Sequence, residues 1–124
     1  MTTQEIATKW AEYCQTGRWD LAQDELYHPD AISLEMEGAQ GFPPRVEGLE
    51  GLKQKGAAWG EMVEQFHGIE IEGPIVAGNK FVATMKMDVT MKGQPRKVDE
   101  EIGLFTVKDG KIVSEQFFYD LPTD

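Results

Sequence analysis

Two kinds of hydrophobic repeat divide the chain. From Thr2 to Phe66, apolar side chains mostly recur every three or four positions, which is typical of helices that cover a core. From Ile69 onward they recur every second position, which predicts strands. The pattern therefore predicts helices first and a sheet second, with one early strand, Ala31–Glu37, between the second and third helices.

The helical part contains three segments. Residues 2–17 form the first, because Thr2 and Glu5 have the spacing of a capping box and four apolar residues then share one face: Ile6, Trp10, Tyr13 and Cys14. Residues 19–27 form the second, which His28-Pro29-Asp30 is expected to break. The third carries an apolar stripe at Leu49, Leu52, Gly56, Trp59, Val63 and Phe66.

The strand part contains four segments joined by turn residues. Strands are predicted at 69–77, 81–91, 96–107 and 111–119, with turns at Gly78-Asn79, Lys92–Pro95 and Asp109-Gly110. Helices separated from hairpin-linked strands indicate an α+β fold. We expect one domain over residues 1–124, in which a strongly curved antiparallel sheet wraps over about three helices as a cone-shaped body with an internal small-molecule pocket.

Charge and composition exclude several classes of function. The 22 acidic and 12 basic residues give a net charge of −10, which argues against nucleic acid and anionic membranes as main partners. No apolar run reaches the roughly 18 residues of a membrane helix, and the polar N-terminus does not resemble a signal peptide, so we expect a cytoplasmic protein. His28 and His67 lack metal-ligand spacing, and no cofactor motif is present, so no metal or cofactor is expected.

Three short motifs resemble the nuclear-transport-factor-2-like superfamily, and within it SnoaL-like proteins. They are Gly17-Arg18-Trp19-Asp20 with Leu26–Ala31, then Val46–Leu52, and finally Phe105–Val113 with its Asp-Gly-Lys-Ile turn. The superfamily includes ketosteroid isomerases and polyketide cyclases. The resemblance implies a cystatin-like α+β roll and a cavity lined by the last strand.

The resemblance also implies positions for catalytic groups. Ketosteroid isomerases carry a carboxylate base five residues beyond the Asp of a similar Asp-Ala pair, and that count reaches Glu35 here. Their acidic oxyanion donor would fall on Ile102 or Gly103, neither of which can donate from a side chain. Tyr13 and Trp10 lie near the position of their helix tyrosine. The resemblance thus supports a base at Glu35 without the rest of that active site.

Four residues are candidates for acid–base chemistry: Glu35, Glu115, His67 and Tyr13. Burial of Glu35 in an apolar pocket would favour its protonated form, as a general base at neutral pH requires. Glu115 interrupts an apolar row between Val113 and Phe117. The alternative interpretation is that the apolar strand faces are inside and these glutamates lie in solvent.

Nine further residues are candidates for contact with a ligand: Trp10, Trp59, Met62, Phe66, Met85, Met87, Glu100, Phe117 and Tyr119. Aromatic and methionine side chains form adaptable apolar walls, although they are equally suited to an ordinary core. Glu100 and Glu101 must point to opposite faces of their strand. The period leaves open which of the two faces inward.

Three functions remain open. One is a cofactor-free isomerase, cyclase or hydrolase acting on a small, largely apolar molecule. Another is a non-catalytic module for ligand binding or dimerisation, and a weaker third is a protein adaptor. A homodimer is expected through the sheet face that carries the mixed row Val82, Thr84, Lys86, Asp88 and Thr90.

Overall fold

A computed structural model describes residues 1–39 and 41–121 of the chain. The elements are α1 (Thr3–Gln15), α2 (Trp19–Leu26), β1 (Tyr27–Leu34), β2 (Arg45–Glu47), α3 (Leu49–Met62), β3 (Val63–Ala77), β4 (Lys80–Met91), β5 (Lys97–Lys108) and β6 (Lys111–Phe118). Three helices and a six-stranded sheet confirm the α+β prediction. Within the described residues, no helix is both long enough and apolar enough to cross a membrane.

Helix α1 begins at the predicted capping box. The Thr2 hydroxyl accepts a hydrogen bond from the Glu5 N–H at 3.1 Å, and the Thr2 N–H donates to the Glu5 carboxylate at 2.9 Å. The buried side of the helix carries Ile6, Ala7, Trp10 and Cys14. Trp10 packs over Phe105 of β5 with 4.5 Å between ring centroids, so α1 covers the inner face of the sheet.

The sheet has the strand order β2-β1-β6-β5-β4-β3. Strands β3 to β6 pair antiparallel, as their hairpin turns predict. However, β1 lies parallel to β6, so the sheet is mixed and not wholly antiparallel. A tight turn forces the two strands that it joins to run in opposite directions. Most of the chain separates β1 from β6, so no tight turn fixes their relative direction and they can pair in parallel. Their pairing sets Ser33 beside Glu115.

Strand β1 begins earlier than predicted. It starts at Tyr27, directly after α2, and the predicted break at His28-Pro29-Asp30 lies inside it. The register with β6 shifts between Tyr27 and Ile32. Such an irregularity accommodates Pro29, because proline cannot donate a hydrogen bond to a neighbouring strand. The shift leaves Ala31 and Ser33 fully buried on the inner face.

Helix α3 ends earlier than predicted. Its last residue is Met62, and Val63 already has an extended backbone that opens β3. A β-branched valine favours this conformation. Phe66 therefore belongs to the sheet, where its ring meets that of Trp19 edge-on at 5.5 Å.

Candidate functional site

A cavity of about 190 Å³ lies between the helices and the inner face of the sheet. Most of its wall is apolar or aromatic, and the rings that line it are Trp10, Trp19, Tyr27, Phe42, Trp59, Phe105 and Phe117. Methionines 85 and 87 of β4 add flexible side chains to this wall. Three carboxyl groups and one ammonium group interrupt it: Glu35, Glu101, Glu115 and Lys55.

Strand β5 directs Glu101, and not Glu100, toward the cavity. Glu101 lines the cavity and is half-buried, whereas the Glu100 side chain is 68% exposed on the opposite face. On that outer face Val98 is 58% exposed and Ile102 is 48% exposed. The period alone could not assign the faces, because both rows of β5 contain apolar residues.

The Glu101 carboxyl lacks a stabilising partner. In the part of the chain that the structure describes, no group donates a hydrogen bond to it. Burial raises the pKa of Glu101 to about 7, and the nearby carboxylates of Glu35, Asp99 and Glu115 act in the same direction. Lys55 opposes these effects only weakly. The group is therefore close to half-ionised at neutral pH.

The Glu115 carboxyl is fully engaged on the neighbouring strand. The Tyr27 hydroxyl donates to Oε1 at 2.5 Å, and the Ser33 hydroxyl donates to Oε2 at 2.7 Å. Burial raises the pKa of Glu115, although the two hydrogen bonds oppose that rise. Burial also raises the pKa of Tyr27 well above its usual value, and the nearby charge of Glu115 raises it further. Tyr27 therefore acts as a fixed donor.

Lys55 of α3 extends this network. Its ammonium donates to Ser33 Oγ at 2.8 Å and to Glu35 Oε2 at 3.0 Å. The Tyr119 hydroxyl donates to the second oxygen of Glu35 at 2.9 Å. Burial, and then the hydrogen bond to Glu35, raises the pKa of Tyr119 above its usual value. We call the six linked residues the bonded cluster: Tyr27, Ser33, Glu35, Lys55, Glu115 and Tyr119.

A sequence profile described as a SnoaL-like domain matches residues 1–119. The chain belongs to the SnoaL-like domain family. No curated protein matches its sequence.

Solved structures resemble the SnoaL-like chain over nearly its whole length. A protein from Mesorhizobium loti, described as a SnoaL-like polyketide cyclase or carbohydrate phosphatase, is 39% identical with a TM-score of 0.86 and covers 96% of this chain and 100% of its own. TerC, crystallised with polyporic acid, is 18% identical, with a TM-score of 0.80 and coverage of 95% and 91%. A Xanthomonas campestris protein of unknown function with a cystatin-like fold is 21% identical, with a TM-score of 0.81 and coverage of 96% and 91%. The last two similarities concern the fold alone.

The predicted site residues of this SnoaL-like chain fall into two groups. Those that line the cavity are Glu35, Glu115, Trp10, Trp59, Met85, Met87 and Phe117, and Tyr119 adjoins it through Glu35. Tyr13 lies outside the lining and hydrogen-bonds Glu25, while His67 Nε2 lies 2.8 Å from Thr90 Oγ1. Met62 and Phe66 are 37% and 36% exposed and also lie outside the lining. Glu100 lies on the outer face.

Sequence reasoning missed three polar residues of the site, Tyr27, Ser33 and Lys55, and it left the choice between Glu100 and Glu101 open. The sequence does indicate that Lys55 is buried, because this residue falls on the apolar stripe of α3 with Leu52, Gly56 and Trp59. A lysine on such a stripe is buried only when it finds a partner. The partners are Ser33, near the end of β1, and Glu35, directly after it, and no local pattern linked these positions to α3.

The carboxyl groups of the SnoaL-like cavity do not converge on a single point. Among the described residues, no three His, Cys, Asp or Glu side chains are grouped closely enough to hold a metal ion. Lys55 instead lies against Glu35 and provides the positive charge there. The arrangement is suited to proton transfer and hydrogen bonding by the side chains themselves.

Proposed function

We propose that the protein catalyses cofactor-free acid–base chemistry on a small, largely apolar molecule bound in the cavity. Glu101 is the proton acceptor in this proposal. The observation that carries it is a carboxyl group that lines the cavity, has no hydrogen-bond donor in the described chain and has a pKa raised to about 7. A base with such a pKa combines a large ionised fraction with a strong tendency to take a proton at neutral pH.

The other two carboxylates are better suited to support than to proton abstraction. Both oxygens of Glu35 and both oxygens of Glu115 already accept hydrogen bonds. Hydrogen bonds to a carboxylate favour its ionised form, so a carboxylate that already accepts them is a weaker base than one without donors. We therefore assign the catalytic role first considered for Glu35 to Glu101, and we propose that Glu35 and Glu115 hold the bonded cluster in place.

The volume of the cavity limits the size of the group that it can enclose. This volume of about 190 Å³ slightly exceeds the roughly 150 Å³ of an apolar protein cavity that accepts benzene. One ring with a short substituent, or two small fused rings, would fill it.

A generic carbon acid tests the role of Glu101 without knowledge of the natural substrate. 5-Nitrobenzisoxazole loses its ring C–H proton to a base while its N–O bond breaks, which yields a coloured nitrophenolate. We expect the rate to rise with pH around a midpoint of about 7 and to fall at least about 10²-fold in Glu101→Gln.

The matched control is Glu100→Gln, because Glu100 is the next residue of β5 and is exposed on the opposite face. It should retain the wild-type rate and midpoint. A Glu101→Gln protein that is folded and as active as the wild type would contradict the proposal.

A non-catalytic ligand-binding role is the second candidate. The aromatic wall favours it, because seven rings surround the cavity and provide affinity whether or not a reaction follows. Binding of benzene-sized compounds with no Glu101-dependent proton transfer to any carbon acid would favour this role.

We also propose that the protein forms a homodimer through the outer face of its sheet. Ile102 of β5 and Phe118 of β6 are cross-strand neighbours on that face and are 48% and 40% exposed. Exposed apolar side chains at neighbouring positions of a sheet face favour burial against a partner. Light scattering at micromolar concentration should give twice the 13.9 kDa of one chain, and a mass of one chain would exclude the dimer.

A further inference from the structure

Lys55 is the one cationic side chain among the described residues that line the cavity. Only 12% of the side chain is exposed, and its ammonium lies 5.6 Å from the centroid of Phe42 and 5.5 Å from that of Phe117. A lysine is rarely held in such surroundings unless its charge is paired. Glu35, whose side chain is 6% exposed, provides that pairing.

The ammonium group has three N–H donors, and two of them are used. One points to Ser33 and one to Glu35, both on the β1 side of the cavity. In the described chain, no oxygen accepts the third donor. A charged donor in apolar surroundings gains considerably from an acceptor, and a ligand in the cavity is the available source.

We propose that Lys55 selects the ligand by donating a hydrogen bond to a carbonyl oxygen, so that the cavity binds a small aryl or cyclic ketone. The inference rests on the proposed function, because it concerns the same cavity. Lys55 is a specificity-determining residue in it, and Glu101 remains the base.

The charges around Lys55 favour a neutral oxygen over an anionic one. Its ammonium is already neutralised by Glu35, and the carboxyl groups of Glu101 and Glu115 line the same cavity. A carboxylate or phosphate ligand would meet these like charges in a medium of low polarity. A ketone oxygen accepts the hydrogen bond without adding a charge.

The bonded cluster fixes the direction of the donor. Ser33, which accepts from Lys55, itself donates to Glu115, and Tyr27 holds the other oxygen of that carboxyl group. A side chain whose hydrogen-bond partners are themselves held by further hydrogen bonds loses little conformational entropy when it binds a ligand. The donor is therefore ready before the ketone arrives.

Two probes of nearly the same shape test the inference. Acetophenone carries a carbonyl oxygen, and cumene replaces it with a methyl group. In the wild-type protein the carbonyl stretch of bound acetophenone should shift to lower frequency, and Lys55→Met should lose this shift together with about tenfold of its affinity for acetophenone. Affinity for cumene should not fall.

Three controls separate the possible outcomes. Lys53→Met removes an exposed lysine of the same helix and should leave the carbonyl shift intact. Gln23→Leu removes a neutral donor from the cavity wall and should also leave it intact. Glu101→Gln should keep the shift while it loses the pH-dependent activity on 5-nitrobenzisoxazole, so the two proposals fail separately.

A measurement on the wild-type protein covers the case in which Lys55→Met does not fold. The ¹⁵N resonance of the Lys55 ammonium should move when acetophenone is added and should stay in place with cumene. Failure of acetophenone to bind at millimolar concentration would overturn the inference. An equal carbonyl shift in wild type and Lys55→Met, or loss of the shift in Gln23→Leu alone, would also overturn it.

Discussion

Two carboxyl groups on adjacent strands differ in their hydrogen bonds. The Glu115 carboxyl on β6 accepts hydrogen bonds from two hydroxyl groups and is linked through Ser33 to Lys55. The Glu101 carboxyl on β5 accepts no hydrogen bond from the described chain. Both groups line the same cavity, and burial raises the pKa of both. What differs is the set of neighbours. A buried carboxyl with two donors forms part of the structure, while one without donors is free to exchange a proton with a ligand.

The largest expected effect comes from breaking the bonded cluster. Lys55→Met removes the partner of a buried carboxylate at Glu35 and should lower the free energy of unfolding by about 3–5 kcal/mol. Glu35→Gln added to it should recover much of the loss, because the carboxylate that lost its partner is then replaced by a neutral amide. Chemical denaturation of both variants measures the difference.

The control for this prediction is Lys53→Met on the same helix. Lys53 pairs with Asp24 at the surface, where both side chains are more than a third exposed. Such a pair contributes at most about 1 kcal/mol. Equal losses in Lys53→Met and Lys55→Met would contradict the distinction between the cluster and the surface.

The second effect concerns Glu101 and depends on pH. Its pKa rises from 4.5 in the unfolded chain to about 7 in the folded one, so the folded state binds more protons in this range and loses stability as the pH rises through it. The cost is complete above about pH 7 and amounts to at most about 3 kcal/mol. Glu101→Gln should therefore be more stable than the wild type at pH 8, with a smaller difference at pH 5.

Thermal unfolding across this pH range measures the effect, with Glu100→Gln as the control. Glu100 is exposed, and its variant should follow the wild-type curve to within about 0.5 kcal/mol. A difference between Glu101→Gln and wild type that does not change with pH would rule out the titration of Glu101 as its cause.

The third effect concerns the space beside Glu101. A Cβ atom at Gly103 would lie 2.8 Å from the Phe105 ring and 3.2 Å from the Met85 methyl group, so Gly103→Ala should cost about 1–3 kcal/mol. Gly60→Ala is the matched control, because apart from its chain neighbours and the adjacent helix backbone no atom lies within 4 Å of its Cβ position. Gly60 lies in the last turn of helix α3, where alanine should instead stabilise the protein by up to about 0.5–1 kcal/mol. The same sign for both variants would contradict this account of the β5 wall.

Local patterns were sufficient to predict much of the fold. The alternation from Phe81 to Met91 and the Asp109-Gly110 turn predicted β4 and the last hairpin, because strand period and turn chemistry are properties of neighbouring residues. The end of α3 was predicted too late, since Val63 and Phe66 continue its apolar spacing although they belong to β3.

The site could be predicted only in part, because its contacts connect distant residues. Ser33 and Glu115 lie 82 positions apart and meet only through the parallel pairing of β1 with β6. Without that pairing, neither the support of Glu115 nor the anchoring of Lys55 follows from the sequence. The sequence also left open which face of β5 points toward the cavity. Only the position of the helices, which cover the face that carries Glu101, decides between Glu100 and Glu101.

The central claim is that Glu101 titrates near neutral pH because it lacks a partner. Carbon-detected NMR of the glutamate side-chain carboxyl groups, with the Glu101 signal assigned by its loss in Glu101→Gln, measures this directly. The account predicts a midpoint of about 7 for Glu101. A midpoint near the ordinary glutamate value of 4.5 would contradict it and would remove the base from the proposed mechanism.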